Sequence, residues 1–139
     1  VLLVATGSLV AESLEAAEAL AVEGTHVTVV DPRWLLPVSP DLTGVASRGF
    51  DLVVTVEDGI LEGGFGWGVR DALADVDVPV LALGIPRAYL PQSRRATLQA
   101  DLGLDAVGIA TAVGQRLGSR RRAGRTGLPV PSVVPSAGL

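Results

Sequence analysis

The chain has 139 residues, 48% hydrophobic and 19% charged, a size and balance that fit one domain with a filled core and exclude a disordered protein. It has no cysteine and no lysine, so disulfides, thiolate nucleophiles, Schiff bases and a Walker lysine are excluded together. The net charge of −4 is unevenly divided: residues 1–118 hold all 15 acidic residues and seven arginines, whereas residues 119–139 hold four arginines and no acid. The acidic part repels phosphate backbones, so no nucleic acid is expected as its partner. No apolar run approaches the roughly 20 residues that cross a bilayer, and no membrane partner is expected. With no methionine anywhere, the chain reads as a piece of something longer.

Val1–Thr6 (VLLVAT) is a short, continuous apolar run, the pattern of a strand buried on both faces. Gly7-Ser8 turns into a helix predicted over Leu9–Glu23, with Val10, Leu14, Ala17 and Ala21 on one face and Gly24 ending it. His26–Val30 is predicted as the second strand, followed by a proline-containing loop and a short helix near Asp41–Arg48. Asp51–Glu57 (DLVVTVE) reads as the third strand. A glycine-rich loop, Asp58–Gly66, then leads into a helix whose face carries Val69, Leu73 and Val76. Pro79–Leu83 is the fourth strand, and Gly84-Ile85-Pro86 opens a loop. Ser93 is placed to cap one helix and Asp105 a last one, lined by Ile109, Val113 and Leu117. Beyond Gly118, RRRAGR and three prolines without periodicity read as a disordered Arg/Pro-rich tail over residues 119–139. Strands alternating with helices give an α/β fold, three layers α/β/α around a parallel sheet, over residues 1–118.

In such sheets, sites gather at the carboxyl ends of the strands. Glu57 and Asp58 stand at one of these ends, but consecutive strand residues point to opposite faces and do not share a proton. Backbone capping and hydration explain the pair better than acid/base work. Gly63-Gly64-Phe65-Gly66 opens a helix and offers N–H groups to an anion, or else permits close packing of helix on sheet. It fits neither the Rossmann nor the P-loop fingerprint. Thr6-Gly7-Ser8 is compatible with a reduced phosphate loop of a flavodoxin-like nucleotide-binding module, or with plain helix capping. The single histidine, His26, and the absence of cysteine make a transition-metal site improbable. No catalytic set and no metal site emerges.

Taken together, VLLVATGSLV, VTVVDPRWLLPVS, DLVVTVEDGILEGGFGWGV, LGIPRAYLPQ and DLGLDAVGIA resemble, in order, the C-terminal domain of the 1-deoxy-D-xylulose-5-phosphate synthases, within the transketolase C-terminal superfamily. The resemblance covers about residues 1–118. It implies a mainly parallel four-stranded sheet in the local order 2-1-3-4, with the family's antiparallel first edge strand upstream of Val1 and missing here. It also implies a cytoplasmic parent enzyme that uses thiamine diphosphate and Mg²⁺, both held by other domains, so that this part is structural and not catalytic alone. Expected partners are those other domains and the homodimer mate. Glu57, Gly63, Gly64 and Gly66 are the residues expected to serve an interface or to order a loop. Trp67 departs from the small residue usual in the family, and the tail has no family counterpart in this reading. Related domains of 2-oxo-acid dehydrogenase β subunits help bind a partner subunit, which keeps a partner-docking module as the alternative.

Overall fold

The structure, a computed structural model, describes residues 1–125. Its elements in chain order are β1 (Leu2–Ala5), α1 (Leu9–Val22), β2 (Thr28–Val30), α2 (Pro40–Ala46), β3 (Val53–Ile60), α3 (Phe65–Ala72), β4 (Val80–Ile85), α4 (Arg95–Asp101) and α5 (Ala106–Arg125). The four strands form one sheet in the order β2-β1-β3-β4, with every neighbouring pair parallel. This is the α/β fold and strand order that the resemblance implies.

Strand alternation separates the core into two layers. Leu3, Ala5, Val54 and Val56 face α1 and α5, where Leu9, Ala16, Leu20, Ile109 and Val113 meet them. Leu2, Val4 and Val53 face α2 and α3, against Leu42, Ala46, Phe65, Val69 and Leu73. Both faces of β1 and of β3 as far as Glu57 are therefore dry, which is why VLLVAT and DLVVTV are continuous apolar runs.

Several predicted boundaries need correction. β3 does not end at Glu57. A shift of register between Val56 and Ile60 lets the strand continue until Ile60 pairs with Ile85. Likewise Gly84 and Ile85 belong to β4 rather than to a loop. The buried stripe of α1 is Leu9, Ser13, Ala16 and Leu20, one position away from the predicted face, and Leu14 is half exposed. An alanine-rich helix gives little contrast between its faces, and here a serine occupies a core position. Ser8 makes no side-chain cap to α1, and the N-cap residue of α4 is Arg94, not Ser93. Finally, α5 passes Gly118 and runs to Arg125. Arginine is a good helix former, and basic groups suit a helix carboxyl terminus. The remainder of the predicted tail lies outside the described residues.

The start of α5 is capped twice. Asp105 Oδ1 accepts the Gly108 N–H at 2.8 Å, as the sequence predicts. Glu12 Oε2, on α1, accepts the Ala106 N–H at 2.9 Å, tying two helices of the same layer. Glu12→Ala removes that acceptor and is expected to cost about 1 kcal/mol, with Glu12→Gln costing less because it retains a carbonyl oxygen. Thermal denaturation of the two variants checks the order, and equal loss in both contradicts it.

Candidate functional site

Alternation along β3 decides where its carboxyl-terminal side chains go. Thr55 and Glu57 follow Val53 to the α3 side, while Asp58 turns to the other layer. Glu57 is 6% exposed and is the one buried charged residue among the described residues. After Ile60 the chain reverses through Leu61–Gly64, with Gly63 at φ +75, a left-handed conformation that glycine adopts without steric cost. Gly64 is the N-cap residue of α3 and has no side chain with which to cap it. Glu57 does so from the strand: Oε2 accepts the Phe65 N–H at 2.8 Å and Oε1 the Gly66 N–H at 2.9 Å. Two of the donors a helix start leaves unpaired are thereby satisfied, and the carboxylate sits at the positive end of the helix dipole.

The glycines make room for this carboxylate. A Cβ on Gly64 would lie 2.4 Å from both Glu57 Oε2 and the Ile60 carbonyl oxygen. On Gly66 it would lie 2.5 Å from Thr55 Oγ1 and 2.7 Å from Ala82 Cβ. Gly84, across on β4, comes within 3.0 Å of Glu57 Cγ on the same construction. Gly63 serves the turn by its backbone, whereas Gly64 and Gly66 serve it by having no side chain. Thr55 Oγ1, beside Gly66, is buried with no hydrogen-bond partner among the described residues. Trp67 is 53% exposed and leaves the Gly66 contact undisturbed.

Asp58 joins a different group. The Arg95 guanidinium donates to Asp58 Oδ2 and to Ser8 Oγ, linking α4 to the end of β3 and the start of α1. These residues line an open cleft of about 510 Å³ at the carboxyl ends of β1 and β3, together with Arg33 and Leu35, and Glu57 reaches its wall from the other side of the strand. Thr6 donates both its N–H and its hydroxyl to the Val56 carbonyl, and Ser8 Oγ meets Arg95, so both hydroxyls of the Thr6-Gly7-Ser8 turn have protein partners. Glu57 and Asp58 thus lie on opposite sides of the sheet. His26 is exposed, and among the described residues no three His, Asp or Glu side chains converge as metal ligands. No helix among them is long and apolar enough to cross a membrane.

Residues 1–109 match a family model described as the C-terminal domain of transketolase. The 1-deoxy-D-xylulose-5-phosphate synthase of Corynebacterium glutamicum (strain R) is 44% identical over 115 residues, which cover 81% of this chain and 18% of that protein. The synthase of Rhodococcus jostii is 46% identical over 112 residues, 79% of this chain and 17% of the relative. Synthase 1 of Streptomyces coelicolor is 45% identical over 132 residues, 93% of this chain and 20% of its own length. That last alignment takes in part of the Arg/Pro-rich stretch, for which no family counterpart is expected from the motifs alone. The chain therefore spans about a fifth of the length of these relatives. Among solved structures, a split-gene transketolase, an inactive beta4 tetramer, superimposes with a TM-score of 0.73 at 31% identity, covering 82% of this chain and 37% of that one. Sequence and fold lead to the same place, and the chain belongs to the transketolase C-terminal domain family.

Proposed function

We propose that the chain is the C-terminal domain of a thiamine-diphosphate-dependent 1-deoxy-D-xylulose-5-phosphate synthase, a cytoplasmic enzyme of the isoprenoid precursor pathway. That enzyme decarboxylates pyruvate and joins the two-carbon unit to glyceraldehyde 3-phosphate. In this reading the domain is catalytically silent and supports the other domains and the homodimer. The observation that carries it is the engagement of Glu57, whose two oxygens both accept backbone N–H groups. No other charged side chain among the described residues is buried. Among the described residues no three His, Asp or Glu side chains converge as metal ligands. We assign thiamine diphosphate and Mg²⁺ to the upstream domains. Glu57, Gly63, Gly64 and Gly66 take a loop-ordering role, fixing the reversal from β3 into α3.

A chimera tests the assignment. Residues 1–118 replace the matching segment of the Corynebacterium glutamicum (strain R) synthase, and the product is expected to be dimeric and to retain synthase activity within about tenfold. A folded, dimeric chimera without activity refutes the reading. The 139-residue chain alone is expected to give no calorimetric signal with thiamine diphosphate and Mg²⁺, and tight Mg²⁺-dependent binding refutes its silence.

A further inference from the structure

The strand order β2-β1-β3-β4 reverses between β1 and β3. The chain leaves β1 through α1, on one face of the sheet, and leaves β3 through α3, on the other. In open α/β sheets the crevice outside the strand ends at this point is where ligands bind. The cleft of about 510 Å³ lies there, within the size range of small-molecule sites.

The backbone at its edge is strained. Arg33, with φ +58, is the one residue other than glycine at a positive φ among the described residues. The Trp34 N–H donates to the Pro32 carbonyl at 2.6 Å across it, a three-residue turn of the rare, strained kind. Glycine adopts such a turn without steric cost, yet an arginine stands here. Asp31 Oδ1 holds it by accepting the Arg33 N–H at 2.9 Å. The turn places Arg33 in the wall of the cleft, and its guanidinium has no hydrogen-bond or ion-pair partner among the described residues. Strain of this sort, held in place by its surroundings, points to function. Arg95 is the second arginine of the wall. Its bonds to Asp58 and Ser8 both leave from Nη2, so Nη1 and Nε are unused, and its side chain is 58% exposed.

The wall is of mixed sign, and that selects the ligand. Glu57 reaches it, but both carboxylate oxygens are taken by the start of α3. Asp58 binds Arg95 through Oδ2 alone, which leaves Oδ1 to accept. A bare anion meets that oxygen unfavourably. A molecule with a phosphoryl group for the arginines and a hydroxyl for Asp58 satisfies both signs. Asp31 and Glu62 stand in neighbouring loops and not in the wall. Leu35 is the one large apolar residue of the lining and no aromatic ring joins it, so a nucleobase or flavin has nothing to stack on.

We propose that this cleft binds a small hydroxylated phosphate monoester, with Arg33 and Arg95 on the phosphoryl oxygens and Asp58 on a hydroxyl. The proposal does not rest on the synthase reading, since it concerns binding by the 139-residue chain itself. Calorimetric titration of that chain with glycerol 3-phosphate is expected to give one site with a dissociation constant below about 1 mM. Inorganic phosphate is expected to bind about tenfold more weakly, and glycerol to give no signal. Arg33→Gly removes one guanidinium and relieves the turn. It is therefore expected to weaken binding by about tenfold or more while the melting temperature stays level or rises. Arg48→Gln, at an exposed arginine in the connection from α2 to β3, should bind as the unmodified chain does. No binding of glycerol 3-phosphate up to about 10 mM overturns the proposal. So does undiminished binding by Arg33→Gly, or an equal loss in Arg48→Gln, which makes the effect one of overall charge. Inorganic phosphate binding as tightly as the monoester, or flavin mononucleotide binding more tightly, overturns the ligand class.

Discussion

Replacing Glu57 with alanine is expected to destabilise the domain by about 3 kcal/mol, through the loss of two hydrogen bonds to a charged acceptor at a helix start. The Phe65 and Gly66 N–H groups lose their partner in a place that is nearly closed to water, since Glu57 is 6% exposed. A cavity also opens beside Gly64 and Gly84, the residues that a Cβ would bring into contact with this side chain. Glu57→Gln preserves the shape but opposes an NH₂ group to one of the two donors, so about 2 kcal/mol is expected. Glu57→Asp falls short by one methylene and reaches at most one donor. The melting temperature of the alanine variant should fall by on the order of 10 °C. In the chimera, the same substitution is expected to lower the temperature at which activity is lost while leaving turnover at low temperature near its original value. A group in contact with reactants predicts the reverse, with turnover lost at an unchanged melting temperature. That outcome would reassign Glu57.

The sheet is legible in the sequence because β1 and β3 are buried on both faces, and VLLVAT and DLVVTVE carry that burial as unbroken apolar runs. The opposite orientation of Glu57 and Asp58 also follows from strand parity alone, and the structure bears it out. What the glycines are for does not follow. Gly63, Gly64 and Gly66 form one motif on paper, but Gly63 answers a backbone requirement within the turn. The other two answer contacts with Glu57, Ile60, Thr55 and Ala82 that exist only once strand and helix are packed. Asp58-Gly59 has the composition of a turn yet lies within β3, in the irregularity between Val56 and Ile60, and the strand continues only because Ile60 pairs with Ile85 of β4, distant in the chain. The stripe of α1 is hidden by Ser13, a polar residue at 0% exposure. Glu12 is invisible as a cap because its acceptor role joins residues 94 positions apart. Arginines 120–122 look like the start of a tail, yet nothing in RRRAGR forbids the last turns of a helix, and proline first appears beyond them at Pro129.

Gly108→Ala is expected to reverse the usual effect of replacing a helical glycine. In an unhindered helix interior, alanine gains about 0.8–1 kcal/mol over glycine. Gly114, on the same helix and with nothing within 4 Å of a built Cβ, should show that gain in Gly114→Ala. At Gly108 the same methyl would lie 2.4 Å from Gly103 Cα, 2.5 Å from its carbonyl carbon and 2.6 Å from its oxygen. All three are backbone atoms, so no rotamer change relieves the contact, and Gly103 is itself fixed at φ +67. The turn from Gly103 to Asp105 must move away from α5. Doing so strains the cap from Asp105 to the Gly108 N–H and draws the buried Leu104 from the core. Overpacking of this kind costs about 3 kcal/mol. Thermal denaturation of the two single variants should therefore give shifts of opposite sign. The positions are six residues apart, roughly 9 Å along the axis, so the double variant should fall near the sum. If Gly108→Ala is as stable as the unmodified chain, the close approach of α5 to the Gly103 turn is wrong. The capping of α5 by Asp105 and Glu12 would then need to be redrawn with it.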